Sequence, residues 1–214
     1  MAATHGKVQV ARRMGKRDSE QAAAFLAACE EILREEGYGA LSSRRVAERA
    51  GLGQRLLYYY FETMDALVEA TFARLAAREL ARLQAAAARP RPLRELWDAC
   101  IHTADSRLVA EFAALANRRP RLRRAVIDFL ERSREIQVRA LAVALAAAGR
   151  AESAEALALL GTSLALALNR EAALGVERGH REAEALVAAF LDQLEPAQSA
   201  TASERPSRQR RKTR

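Results

Sequence analysis

The 214-residue chain sets 35 Lys plus Arg against 27 Asp plus Glu, a formal charge of +8, and half of its residues are apolar although only 5% are aromatic. The apolar share excludes disorder throughout. The 49 alanines and the scarcity of aromatic residues exclude a β-rich fold, and two cysteines exclude a disulfide scaffold.

Residues 1–18 carry Lys7, Arg12, Arg13, Lys16 and Arg17 against Asp18, a net +4, and read as a basic disordered arm. They lack the continuous apolar stretch of a secretory signal, and no segment of the chain is apolar for about 18 residues, so a cytoplasmic protein without a membrane span is expected. The first helix begins after Asp18 or Ser19 and runs to Glu36, with Phe25, Leu26, Cys29, Ile32 and Leu33 on one face and Gly37 as its stop. Ser42 caps a short second helix that ends near Ala50, before Gly51. A third helix spans about Gln54 to Tyr60. Thr63 caps a long fourth helix that fades near Ala88, with Asp65 at its positive end.

Beyond Pro92 the apolar spacing predicts five more helices, at roughly 92–104, 106–118, 120–148, 152–175 and 181–194. Pro120 is placed as a first-turn proline, and Gly149 and Gly175 close the helices before them. The last twenty residues, 195–214, are polar and basic and read as a disordered tail of net +4. The two ends therefore supply the whole formal charge, because the body, 19–194, balances 24 Arg, and no Lys, with 24 acids. A neutral body with two basic arms suggests a polyanionic partner, most simply nucleic acid; the alternative is two solvated tails. The expected organisation is all-α: the 1–18 arm, a small helical domain at 19–64 whose fourth helix continues to about 88, a larger helical domain at 65–194, and the 195–214 tail.

The most informative stretch is 41–61, LSSRRVAERAGLGQRLLYYYF. Two short helices are joined by a tight turn containing Gly51 and Gly53, which is helix-turn-helix geometry; the alternative is an ordinary helical hairpin with a solvated basic face. A recognition helix offers its first residues to base edges. Here these are Gln54, suited to adenine, and Arg55, suited to guanine. Arg44 and Arg45 open the preceding helix, where they can reach phosphates, and Ser42 and Ser43 add hydroxyl donors. Tyr58 and Tyr59 follow along the recognition helix. Residues 42–61 hold four Arg against Glu48, a local +3.

Gly37-Tyr38, Ser42, Val46-Ala47, Ala50-Gly51-Leu52-Gly53, Tyr58-Tyr59-Tyr60-Phe61 and Asp65-Ala66-Leu67 together resemble, in order and spacing, the TetR family of bacterial transcriptional repressors. The resemblance covers residues 25–67. It implies a helical homodimer whose amino-terminal three-helix domain binds a palindromic double-stranded DNA operator, and whose carboxy-terminal domain binds a small-molecule effector that releases the DNA. It implies that Tyr58 and Tyr59 contact phosphates, that Gln54 and Arg55 read bases, and that Tyr60 and Phe61 pack the domain core. Two positions depart from the pattern. Gly53 replaces a frequent Ser cap, and Met64 replaces a Lys that commonly contacts phosphate. Arg12, Arg13, Lys16 and Arg17 are expected to compensate by lying along the duplex or in its minor groove.

In the larger domain, 153–168 is apolar around nearly its whole circumference and is expected to be buried on all sides. Ala158, Gly161 and Ala165 form a small-residue stripe on it. With Leu186 and Phe190 of the last helix they are the candidate dimer residues; a monomer's internal core is the alternative. Trp97, His102, Phe112, Leu115, Gln137, Leu164 and Asn169 are candidate ligand residues, because each puts shape or a lone polar group on an apolar helix. Each also reads individually as core or as a helix-end hydrogen bonder. An apolar effector is expected. His180 is assigned to the start of the last helix.

No zinc, Walker A, nucleophile-elbow or paired C-x-x-C motif is present, and His5, His102 and His180 lack metal-ligand spacing, so neither catalysis nor a cofactor is expected. Two other readings stay open: a DNA-binding regulator governed by a protein partner or by no effector, and a helical enzyme or scaffold that kept the fold.

Overall fold

The computed structural model describes residues 20–102 and 105–196, and every regular element in them is helical. Among these residues α1 (20–35) is followed by a single 3-10 turn, Tyr38–Ala40, then α2 (Ser43–Ala50), α3 (Gln54–Tyr60) and α4 (Met64–Ala87). The second part holds α5 (Pro92–Ile101), α6 (Ser106–Ala116), α7 (Pro120–Ala147), α8 (Ala154–Ala173) and α9 (His180–Leu194). This is the all-α arrangement that the apolar spacing predicts, with shifts confined to helix ends. The 1–18 arm and most of the 195–214 tail lie outside the described residues.

The ends follow their local chemistry. Ser42 Oγ accepts from Arg45 N at 3.2 Å and Thr63 Oγ1 accepts from Ala66 N at 3.0 Å, each satisfying a helix-start N–H. Gly51 adopts φ 65°, a left-handed conformation that ends α2 and that a β-carbon would strain. α6 stops at Ala116, short of the expected 118. Asn117, Arg118 and Arg119 donate three residues back, at 3.2–3.3 Å, and Arg119 turns extended (φ −130°) as the residue before a proline must.

One buried cluster runs from Phe25, Ile32 and Leu33 of α1 through Val46 and Leu57 to Phe72 of α4, Phe112 of α6 and Phe129 of α7. Phe72 meets Phe112 at 5.2 Å and Phe129 edge-on at 5.9 Å between ring centroids. The core therefore crosses residue 64 without a break. A half-buried ion cluster reinforces the junction. Arg34 of α1 donates to Glu30 and to Asp105, both at 2.7 Å, and Arg78 of α4 donates to the same two carboxylates at 2.9 and 2.6 Å. Burial by itself would raise the pKa values of Glu30 and Asp105, but the guanidinium hydrogen bonds prevail and both lie below their ordinary values. Asp105, just ahead of α6, is thus tied to α1 and α4 together.

The far end is closed by α9. Glu195, which the sequence places in the tail, is ordered: its carboxylate accepts from Leu93 N at 2.9 Å and Arg94 N at 3.3 Å, capping α5. Asp192 accepts from both Arg91 and Arg94 at 2.6 Å. Glu195 therefore belongs to the packed body, and a single acid at that position carries no local sign that it caps a helix about a hundred residues away. No helix of the described residues is long and apolar enough to cross a membrane.

Candidate nucleic-acid interface and apolar cavity

Val46, Ala47 and Leu57 face the core and fix the angle between α2 and α3. Their opposite faces carry the polar residues. Tyr58 is 45% exposed and Tyr59 74%, large values for aromatic side chains in a folded domain. Tyr60, in contrast, is half-buried, hydrogen bonds to Gln21 Oε1 at 3.0 Å and packs near Phe25, the core role expected of it. Gln54 Nε2 donates to Ser43 Oγ at 2.6 Å, joining the first residues of the two short helices and fixing the amide's direction.

The four arginines of this face differ in their partners. Arg44 pairs with Glu48 at 2.9 Å and Arg45 with Glu36 at 2.7 Å, both in exposed positions. Arg49 pairs with Glu35 at 3.0 Å and Glu36 at 2.9 Å and approaches Glu31 at 3.5 Å, all on or just after α1. Arg55 is exposed and forms no ion pair among the described residues. The local +3 of 42–61 is thus largely met by carboxylates from α1. Exposed pairs of this kind contribute little stability, so Arg44 and Arg45 can exchange carboxylate for phosphate at small cost. The stapling role of Arg49 escaped the sequence, since nothing local reveals which face of α1 the second helix lies against. Arg12, Arg13, Lys16 and Arg17 lie outside the described residues.

A second feature lies well away from this face. A partly open cavity of about 290 Å³ is lined by α5, α7, α8 and α9, with the exposed Leu160 and Leu186 among its lining residues. Trp97, Gln137 and Leu164 line it, three of the seven residues singled out as ligand candidates, together with Cys100 and Thr162. The other four lie elsewhere. Phe112 is fully buried in the main core, and Leu115 is half-buried beside it. His102 is the exposed C-cap of α5, and Asn169 Nδ2 donates to Cys100 O at 3.0 Å, a helix-end hydrogen bond. Cys100 and Thr162 were missed, and no local signal marks them, since each sits on an ordinary helical turn. His180 begins α9 and its Nε2 lies 3.1 Å from Glu171 Oε2. No group of His, Cys, Asp and Glu able to hold a metal is found among the described residues.

Residues 25–71 match the family model described as bacterial regulatory proteins, tetR family. No curated protein matches the chain. Among solved structures, a TetR-family transcriptional regulator from Rhodococcus sp. superposes with a TM-score of 0.66 at 22% identity, over 83% of this chain and 99% of that one. A TetR transcription regulator from Haloarcula marismortui gives 0.70 at 19%, over 81% and 97%. A regulator from Saccharomonospora viridis in complex with choline gives 0.68 at 18%, over 75% and 88%. The chain has the fold of the TetR-family transcriptional regulators.

Seen in that TetR-type frame, the two departures have clear structural counterparts. Gly53 is the N-cap of α3 in extended conformation (φ −76°, ψ 139°) with no side chain to cap, and Leu56 N still donates to its carbonyl at 2.9 Å. Met64 is half-buried against the main core, so its position serves packing. The dimer candidates divide. Ala158 and Ala165 are buried within the protomer, where α8 packs on α5 and α7, and they are not open to a partner. Gly161, Leu186 and Phe190 line the cavity. Leu186 is 74% exposed, as are, to lesser degrees, Leu159, Leu160 and Leu166. Within the single chain the small stripe of α8 faces inward and the leucines beside it face out. A helix apolar all round does not declare which side its own chain will cover.

Proposed function

We propose that this chain is a ligand-responsive transcriptional repressor that binds a palindromic operator as a homodimer in the cytoplasm and is released by a small, apolar effector. The observation that carries this reading is the joining of two unlike sites. An exposed helix-turn-helix face bears Gln54, Arg55, Tyr58 and Tyr59, and a separate apolar cavity lies among α5, α7, α8 and α9, of which α7 also enters the core behind that face. Ser42, Ser43, Arg44 and Arg45 supply phosphate contacts beside the base-reading pair.

The exposed leucines of α8 and α9 support the dimer. Leu159, Leu160, Leu166 and Leu186 leave apolar surface open to water in the single chain, Leu160 and Leu186 of them at the cavity, and a two-fold protein places two reading helices about one turn of DNA apart. The choline complex of the Saccharomonospora protein shows that a neighbour of this fold takes up a small molecule, which supports an effector here. The test is selection of bound duplexes from a random pool, followed by anisotropy titrations at several salt concentrations. A two-fold symmetric consensus bound by two chains is expected. Retention of duplexes without any shared sequence would sink the proposal.

A further inference from the structure

We infer that the cavity takes an uncharged, mainly apolar molecule of about a dozen non-hydrogen atoms that presents one carbonyl-type oxygen to Gln137. The inference rests on the effector reading above and gives that site a chemistry. Size comes first. An engineered apolar cavity of about 150 Å³ holds benzene, so a space of about 290 Å³ holds roughly twice as many atoms.

Charge comes next. No Asp, Glu, Lys, Arg or His is found among the described residues that line the cavity. An ion placed there would give up its hydration without an opposite charge in return. The thiol of Cys100 does not change this, because burial pushes its pKa up and keeps it neutral. Trp97 and Phe190 supply flat apolar surface.

The polar end is Gln137, which is only 8% exposed. Its Oε1 lies 2.7 Å from Thr162 Oγ1, and its Nε2 lies 3.9 Å from Cys100 Sγ, a weak acceptor. Thr162 has a single hydroxyl proton and a second acceptor, Ala158 O, at 2.8 Å. Whichever way the amide is turned, at least one of its two N–H groups finds no oxygen acceptor among the described residues. A buried donor so placed favours a ligand that brings an acceptor, and it discriminates against one that brings none.

Trp97 is the chain's single tryptophan and lines the cavity, so its emission reports occupancy directly. The experiment titrates the full chain with four probes of nearly equal size: 4-phenyl-2-butanone, butylbenzene, 4-phenylbutyrate and 4-phenylbutylammonium. Binding is read by Trp97 emission and checked by thermal shift. The ketone is expected to bind about tenfold more tightly than the hydrocarbon, and both charged probes more weakly than either. Gln137→Met is expected to lower ketone affinity to that of butylbenzene while leaving butylbenzene unchanged. Gln137→Glu, which keeps the size, is expected to move the preference toward the ammonium probe. Equal affinity for ketone and hydrocarbon, preference of the unaltered chain for a charged probe, or no binding of any probe at millimolar concentration overturns the inference. An operator titration at saturating ketone separates the two readings: if the ketone preference is found and DNA affinity does not change, the cavity chemistry stands and the effector role falls.

Discussion

The exposed helix-turn-helix face and the cavity are built in opposite ways. Apart from the arm residues, the eight candidate DNA contacts fall between Ser42 and Tyr59, on two adjacent helices, the first with its cap, joined by one glycine turn. The cavity draws on α5, α7, α8 and α9, whose lining residues run from Leu93 to Leu191. The first site is polar, exposed and local in sequence; the second is apolar, recessed between helices and assembled only by packing. A local site leaves a pattern of spacing and residue type that a linear reading recovers, whereas a packed site is decided by which faces meet.

Four substitutions can break or sharpen this contrast. Phe112→Ala is expected to have the largest effect, about 4 kcal/mol of stability, since Phe112 is fully buried against Phe72 in the core and not at the cavity. Denaturant unfolding measures it, and probe binding by the molecules that stay folded should be unchanged. A selective loss of probe binding would instead place Phe112 at the ligand. Glu30→Ala should cost about 3 kcal/mol, the buried-pair value reduced for the partly exposed Arg34 and Arg78. The sign of its pH dependence follows from the lowered folded-state pKa values of Glu30 and Asp105. Their contribution is complete above the ordinary carboxylate range and is lost as pH falls through the folded values. Stability of the unaltered chain should therefore fall more steeply with acid than that of the Glu30→Ala variant. Parallel stability-versus-pH curves would show that the cluster adds nothing.

The other two act on the DNA face. Arg55→Ala should weaken cognate binding by about 2 kcal/mol and relax preference at one base position, measured by anisotropy on a panel of single-base variants. An equal loss on every duplex would make Arg55 a phosphate contact. Tyr58→Phe should cost about 1 kcal/mol on all duplexes alike, through a lost hydroxyl donor. A change of base preference would refute that role.

The legibility of the fold follows the same division. Ser42, Gly51 and Thr63 act within their own helix ends, and the elements they delimit stand where the sequence puts them. Tyr60 was legible as core for the same reason. Arg49, Glu195 and Cys100 were not, because each acts on a helix remote in sequence: α1, α5 and the packed group around Gln137. Helix α8 shows the limit most plainly. Its composition announces burial, but the side that is buried depends on α5 and α7, and the small stripe went to them rather than to a free face.

The ion pairs described above use guanidinium groups, and the whole stretch 19–194 contains no lysine. Guanidinium stays protonated throughout the accessible pH range, so these pairs change only when the carboxylate partner titrates. Acetyl transfer to side-chain amines, which removes a positive charge, has no lysine target in the body. The side-chain amines available to such chemistry are Lys7, Lys16 and Lys212. An acylating reagent therefore marks the basic ends and spares the helical body, and protection of Lys7 and Lys16 by bound duplex becomes a direct footprint of the amino-terminal arm.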